Sequence, residues 1–292
     1  MREEAVLFGK GGSLVGVVTD PETSEGRGDR VAVILLNSGF LHHVGPGAIY
    51  VKIARLMARQ GFTSLRFDFS GIGDSGVRMD SVPFERSSIL EAQEAMDYLE
   101  ATRGVRQFIL MGICSGAVAS FETADADERV VGAVLMNPRS FGEKPGSTYG
   151  SRARMRYYGR VGASNRRSWV KVLKGQVGFR KILNTVFQQL RTLAPQRGRA
   201  SQDGGDMGER LLALNSRLKG MVVVCSEWDW SLDYLNAALG ERVGELNIKY
   251  IAHSDHTFTL LWSQEYLFEI LTEWASTFTE EPSLMSSSPA KI

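Results

Sequence analysis

Residues 107–116 read Gln107-Phe108-Ile109-Leu110-Met111-Gly112-Ile113-Cys114-Ser115-Gly116. The apolar run Gln107–Met111 predicts a buried strand, and Ala117-Val118-Ala119-Ser120-Phe121 predicts the opening of a helix. Between them, Gly112-Ile113-Cys114-Ser115-Gly116 has the spacing of the G-x-S-x-G elbow, with cysteine in place of serine. In such a turn the flanking glycines let strand and helix crowd together, which pushes the central side chain outward into a cleft. The competing reading is a small cysteine buried in a strand-to-helix turn, and five residues with two glycines do not exclude it.

Working outward, strands and helices alternate, the pattern of a mostly parallel sheet covered on both faces. Strands are predicted at Ala5–Phe8, Leu14–Thr19, Val31–Asn37, Thr63–Asp68, Gln107–Met111 and Val130–Asn137, and helices at Ala48–Gln60 and Ser87–Thr102. After Pro138 the rhythm breaks for about eighty residues. That stretch predicts short helices near Trp169–Lys174 and Phe179–Leu193 and a flexible polar segment from Gln196 to Gly208. The alternation resumes with strand Gly220–Ser226, helix Leu232–Leu239, strand Leu246–Ala252 and helix Leu260–Thr279. Four segments result: a core from 1 to 138, a basic, largely helical cap inserted at 139–219, the rest of the core at 220–279, and a disordered Ser/Pro-rich tail at 280–292.

Composition narrows the class. The longest aliphatic run, Val31–Leu36, is too short to cross a bilayer, and Met1-Arg2-Glu3-Glu4 lacks a signal-peptide apolar core, so a cytoplasmic location is expected. Two cysteines, Cys114 and Cys225, make no disulfide framework, and no Cys/His spacing suggests zinc; neither metal nor cofactor is expected. Net charge is only +1, but residues 139–219 carry 18 Lys/Arg against 4 Asp/Glu, leaving 16 against 29 elsewhere. Such an insert either neutralises the acidic body across an internal interface or offers a positive mouth to an anionic substrate or carrier. No nucleic-acid module accompanies it, and nucleic-acid binding is not expected.

Several motifs together resemble the α/β-hydrolase superfamily over most of residues 5–279 outside the insert. Besides the elbow, Asp68-Phe69-Ser70-Gly71-Ile72-Gly73-Asp74-Ser75 is similar to that superfamily's Asp-x-x-Gly-x-Gly-x-Ser loop, which is structural. With Leu36–His43 and Ile113–Ala117, the pattern most resembles bacterial hydrolases found beside exosortase systems. The resemblance implies an eight-stranded sheet and a nucleophile, acid and histidine in that chain order.

Carried over residue by residue, it makes Cys114 the nucleophile. It makes His256, in Ser254-Asp255-His256-Thr257-Phe258, the base, with His253 the alternative. Asp229, after Val222–Ser226, takes the acid role, with Asp233 and Glu227 as alternatives; Asp229 also suits a helix N-cap. Oxyanion donors are expected from the backbone N–H of Ser115 and of Phe40, with Leu41 second. In the latter loop Ser38 replaces the histidine usual in relatives, while His42 and His43 read as cleft-lining or plain loop residues.

Dienelactone hydrolases carry a Cys-His-Asp set on this fold, so the resemblance implies hydrolysis of a carboxylic ester or thioester through an acyl-cysteine. A thiol at a helix N-terminus beside imidazole ionises readily. The alternatives are an acyltransferase or cyclising off-loading enzyme using the same residues, and a binding module that has kept only the fold. The expected partner is a small acyl ester or thioester. Coenzyme A or an acyl carrier protein would meet Arg152, Arg154, Arg156 and Arg160 in the basic insert.

Overall fold

The computed structural model describes residues 1–22, 31–139 and 202–279. The elements are β1 (Arg2–Phe8), β2 (Leu14–Asp20), β3 (Val31–Leu36), α1 (Ile49–Arg59), β4 (Thr63–Phe67), α2 (Phe84–Arg103), β5 (Gln107–Ile113) and α3 (Ser115–Ala126). They continue with β6 (Val130–Met136), α4 (Gln202–Arg217), β7 (Gly220–Trp228), α5 (Ser231–Leu239), β8 (Ile248–Asp255) and α6 (Leu261–Thr279). The strands form one eight-stranded sheet in the order β1-β2-β4-β3-β5-β6-β7-β8. The β1–β2 and β2–β4 pairs are antiparallel, and every other pair is parallel.

Central β3 shows why an unbroken apolar run makes a strand here. All six of its residues are buried, Val31, Val33 and Leu35 toward one face and Ala32, Ile34 and Leu36 toward the other. The first face packs on Ile49, Ile53 and Met57 of α1 and Leu267, Leu271 and Trp274 of α6. The second packs on α2, α3, α4 and α5 through Ala95, Leu99, Phe121, Leu211 and Leu235. Helices thus cover both faces, and the parallel strands end together along one edge, where open α/β sheets bind their ligands.

Two expectations need revision. The segment from Gln202 to Arg217 is helix, not a flexible polar stretch as far as Gly208. Met207, Leu211, Leu214 and Leu218 recur at helical spacing and are buried in the core, so burial of that stripe outweighs the local cost of nearby glycines. Strand β7 also continues two residues past Ser226, to Trp228. The remainder of the expected cap, with the two short helices and the four arginines, lies outside the described residues, as does the tail. Among the described residues no helix is long and apolar enough to cross a membrane.

Candidate active site

The strand registers assemble the site. Ile113 pairs with Met136, and Met136 with Val224, so Cys114 and Asn137 emerge beside each other from the ends of β5 and β6. After an irregularity at Ser226, β7 pairs again with β8 through Trp228 and Asp255. The next residue on each strand is Asp229 and His256, which therefore leave the sheet side by side.

Cys114 sits at the turn from β5 into α3 with φ 60 and ψ −117. A non-glycine residue in this region costs about 1–3 kcal/mol, a strain that recurs at functional sites. The crowding expected of the elbow is present: a Cβ on Gly112 would run into the Gly116 carbonyl, and one on Gly116 into the carbonyl oxygen of Leu36. Cys114 N–H donates to Met136 O at 2.9 Å, and the thiol is only partly buried. Cys225, by contrast, is wholly buried, and burial pushes its pKa up to about 12.

His256 is electrostatically coupled to the Cys114 thiol, and its Nδ1 lies 2.7 Å from Asp229 Oδ2. That approach is bent, and Nδ1 has no hydrogen bond of good geometry. Burial works against a cation on His256, yet the attraction of Asp229 and Cys114 outweighs it and the pKa is pushed up to about 9. For Cys114, burial opposes charge as well. The attraction of His256, the charge of Arg139 and the Ser115 N–H outweigh it and hold the thiol below its ordinary value. Asp229 is buried, which disfavours its charge, but His256 and Arg139 hold its carboxyl below the usual range.

Asp229 is not the N-cap of α5, a position Trp230 takes; it lies one residue earlier, where Oδ1 accepts the Ser231 N–H at 2.8 Å and Oδ2 faces His256. The alternatives lie elsewhere. His253 is 77 % exposed along its side chain, and its Nδ1 lies 3.1 Å from Glu227, so these two pair with each other. Asp233 lies within the first turn of α5.

Residues 37–43 face the elbow. Ser115 Oγ accepts the Gly39 N–H at 2.6 Å, and Leu41 N–H donates to Ser38 O at 3.1 Å. Of the two expected donors in this loop, Leu41 is thus engaged in a turn. Phe40 N–H has no acceptor among the described residues, while its side chain is 93 % exposed.

His42 and His43 belong to the brace of this loop. His43 Nδ1 lies 2.8 Å from Asp68 Oδ2, and Asp68 Oδ1 accepts the His43 N–H at 2.6 Å and Asn37 Nδ2 at 3.0 Å. His42 Nε2 lies 2.9 Å from Asp74 Oδ2, and its ring stacks on His43 with centroids 3.8 Å apart. These two histidines with Asp68 and Asp74 are a group with metal-ligand chemistry, their donor atoms all within 4.8 Å of one another. Asp68 already accepts hydrogen bonds on both oxygens, including the Asp74 N–H at 3.1 Å, which suits a brace. Asp68→Ala is expected to cost about 3 kcal/mol of stability, because it strands His43 and Asn37 in the interior; urea denaturation measures it.

Two residues that sequence reasoning passed over complete the site. Asn137, at φ 46, donates through Nδ2 to His256 O at 2.8 Å and to Ser226 Oγ at 2.7 Å. Its Oδ1 accepts the Ser226 N–H at 2.8 Å and Ser231 Oγ–H at 3.2 Å, tying the β6, β7 and β8 ends together. Arg139 donates through Nε at 2.9 Å and Nη2 at 2.7 Å to Asp229 Oδ2, the oxygen that faces His256. Neither has a motif to mark it: Asn137 reads as a strand end, and Arg139 as the first of eighteen basic residues.

Comparison with known proteins places this geometry. An esterase from Pyrococcus furiosus superposes with a TM-score of 0.59 at 13% identity, over 96% of this chain and 91% of that one. An α/β serine hydrolase without lid from Xanthomonas campestris gives 0.57 at 14% identity, over 96% of each chain. Proline iminopeptidase from Mycobacterium smegmatis gives 0.58 at 14% identity, over 95% of this chain and 99% of that one. At such identities the likeness is one of fold. No curated protein matches the chain. The family model described as serine aminopeptidase, S33, matches residues 28–194, more than half of the sequence. With its eight-stranded sheet, its elbow and this match, the chain belongs to the serine aminopeptidase S33 family and has the α/β-hydrolase fold.

Proposed function

We propose that the protein hydrolyses a carboxylic ester or thioester through an acyl-cysteine intermediate, with Cys114 as nucleophile, His256 as proton carrier and Asp229 as its orienting acid. The observation that carries this is Cys114 at the strained elbow, beside the strand ends that bring His256 Nδ1 to 2.7 Å from Asp229 Oδ2. The Cys114 thiolate attacks the acyl carbonyl, forming a C–S bond and placing charge on oxygen near the N–H groups of Ser115 and Phe40. As that oxyanion collapses, the bond to the leaving alkoxide or thiolate breaks and His256 gives that group its proton. His256 then takes a proton from water, whose oxygen attacks the thioester. The acid departs, and the Cys114–His256 pair is restored. The resemblance to hydrolases beside exosortase systems names no reaction, so the proposed chemistry rests on the site.

The esterase among the structural neighbours makes short acyl esters the first substrates to try. Mixing the protein with a nitrophenyl ester should release a burst of about one nitrophenol per chain, followed by steady hydrolysis. Added alcohols or amines that divert the acyl group without acid release would make the reaction a transfer. No burst or turnover with any ester or acyl-coenzyme A, beside reversible binding of an anionic ligand, would contradict the proposal.

The protonation states give a further expected outcome. The reactive pair is thiolate and imidazolium, so kcat/KM should rise as Cys114 ionises, below the ordinary thiol range, and fall as His256 loses its proton near pH 9. A profile that only rises toward pH 10 would mean the thiol ionises as a free cysteine does.

A further inference from the structure

A thiolate nucleophile creates a difficulty for the acid that serves it. A carboxylate at Asp229 stabilises the imidazolium of His256, but its negative charge also opposes a second negative charge on Cys114. With a neutral hydroxyl nucleophile this conflict is absent from the resting site. Here a cation is built into the answer. Both Nε and Nη2 of Arg139 converge on Asp229 Oδ2, at 2.9 and 2.7 Å, rather than forking across the two carboxylate oxygens. His256 Nδ1 lies 2.7 Å from that same oxygen, on a bent approach. The Arg139 guanidinium lies 5.8 Å from the centroid of the Trp230 ring, which holds it beside the acid. Its side chain remains 37 % exposed, so it belongs to the wall of the cleft rather than to the core.

We propose that Arg139 is a positioning residue that adapts the acid to a cysteine nucleophile. By sharing Asp229 Oδ2 with His256, its guanidinium offsets the carboxylate's charge and lets Cys114 ionise beside it. The inference rests on the roles proposed above for Cys114 and His256. Carboxylate, guanidinium, imidazolium and thiolate then form a set of four groups with no net charge.

Among the described residues, other groups around the set do not supply that balance. Tyr50 of α1 is buried, with its phenol bridging Leu36 O and the Ile113 N–H at 2.9 Å each, and burial raises its pKa further. Cys225 of β7 is held neutral by burial. Glu227 and His253 pair with each other at the rim, and Asp255 accepts the Thr257 and Thr259 N–H groups. His42 lies against Asp74 on the facing loop. Among the described residues, Arg139 is the basic side chain whose charge reaches Cys114, Asp229 and His256 alike.

Removing that charge has a signature that loosening the site does not. Without Arg139 the thiolate loses an attraction and the imidazolium loses a repulsion, so both groups titrate at higher pH. A site that merely comes apart separates Cys114 from His256, which moves the thiol up and the imidazole down. The test is therefore the pH dependence of iodoacetamide alkylation at Cys114, with the His256 ring followed by nitrogen NMR, in the native protein, Arg139→Met and Arg139→Lys. Alkylation needs no substrate.

In Arg139→Met both half-points should rise, the thiol's by about one pH unit, which slows alkylation roughly tenfold at a pH below it. Arg139→Lys, which keeps the charge, should restore most of the difference. Unmoved half-points, or half-points moving in opposite directions, would overturn the role of Arg139. A native protein whose Cys114 alkylates only in the ordinary thiol range would instead overturn the nucleophile assignment beneath it, so the two failures are distinguishable.

Discussion

Replacing Cys114 by alanine is expected to lower kcat/KM for any ester or thioester substrate by roughly four orders of magnitude. In the proposed mechanism the thiolate supplies the bond that carries the acyl group, and no other described side chain stands at the apex of the elbow. Ser115 is the next nucleophile along the chain, but it opens α3, and its Oγ accepts the Gly39 N–H at 2.6 Å, so it serves the facing loop. Folding should be little changed. The substitution removes one partly buried sulfur, while the strained backbone is fixed by Gly112 and Gly116 packing and by the Cys114 N–H bond to Met136 O. Steady-state kinetics beside thermal unfolding of both proteins checks both statements. Activity retained within tenfold would place the nucleophile elsewhere.

Asp229→Asn carries the second large effect. Asparagine keeps the shape and the Ser231 contact but removes the charge that favours an imidazolium on His256. We expect kcat to fall by about a thousandfold. The sign of the pH change follows from the direction of the native shift. His256 is held up at about 9 partly by Asp229, so losing that carboxylate lowers its pKa and brings the alkaline limb down by about one pH unit or more. Arg139 loses its partner in the same variant and, being part exposed, can turn to water, so stability should fall less than for a fully buried ion pair. The full pH profile of Asp229→Asn measures all of this. An unmoved alkaline limb would mean that Asp229 does not set the protonation of His256.

The fold was legible because its signals are local. Unbroken apolar runs such as Val31–Leu36 mark strands buried on both faces, and glycines two residues either side of Cys114 mark a turn with no room for a Cβ. His256 and Asp229 were marked by the resemblance, which expects an acid after the seventh strand and a histidine after the eighth, and the β7–β8 register brings the two side chains to 2.7 Å. Arg139 and Asn137 were not, because their roles depend on which strand ends lie side by side. A charge count merges Arg139 with the basic residues that follow, although it is the one beside Asp229. The helix from Gln202 was hidden in the polar, glycine-containing stretch up to Gly208, which reads as flexible until the buried stripe of Met207, Leu211, Leu214 and Leu218 is seen.

The central claim, that the acyl group is carried on Cys114, is tested most directly by intact mass. The native protein and Cys114→Ala would be incubated with short acyl esters and with acyl-coenzyme A, quenched in acid and weighed. The native chain should gain the mass of one acyl group, and Cys114→Ala none. Substrate turnover with no adduct on the native chain, or the same adduct persisting on Cys114→Ala, would contradict the assignment.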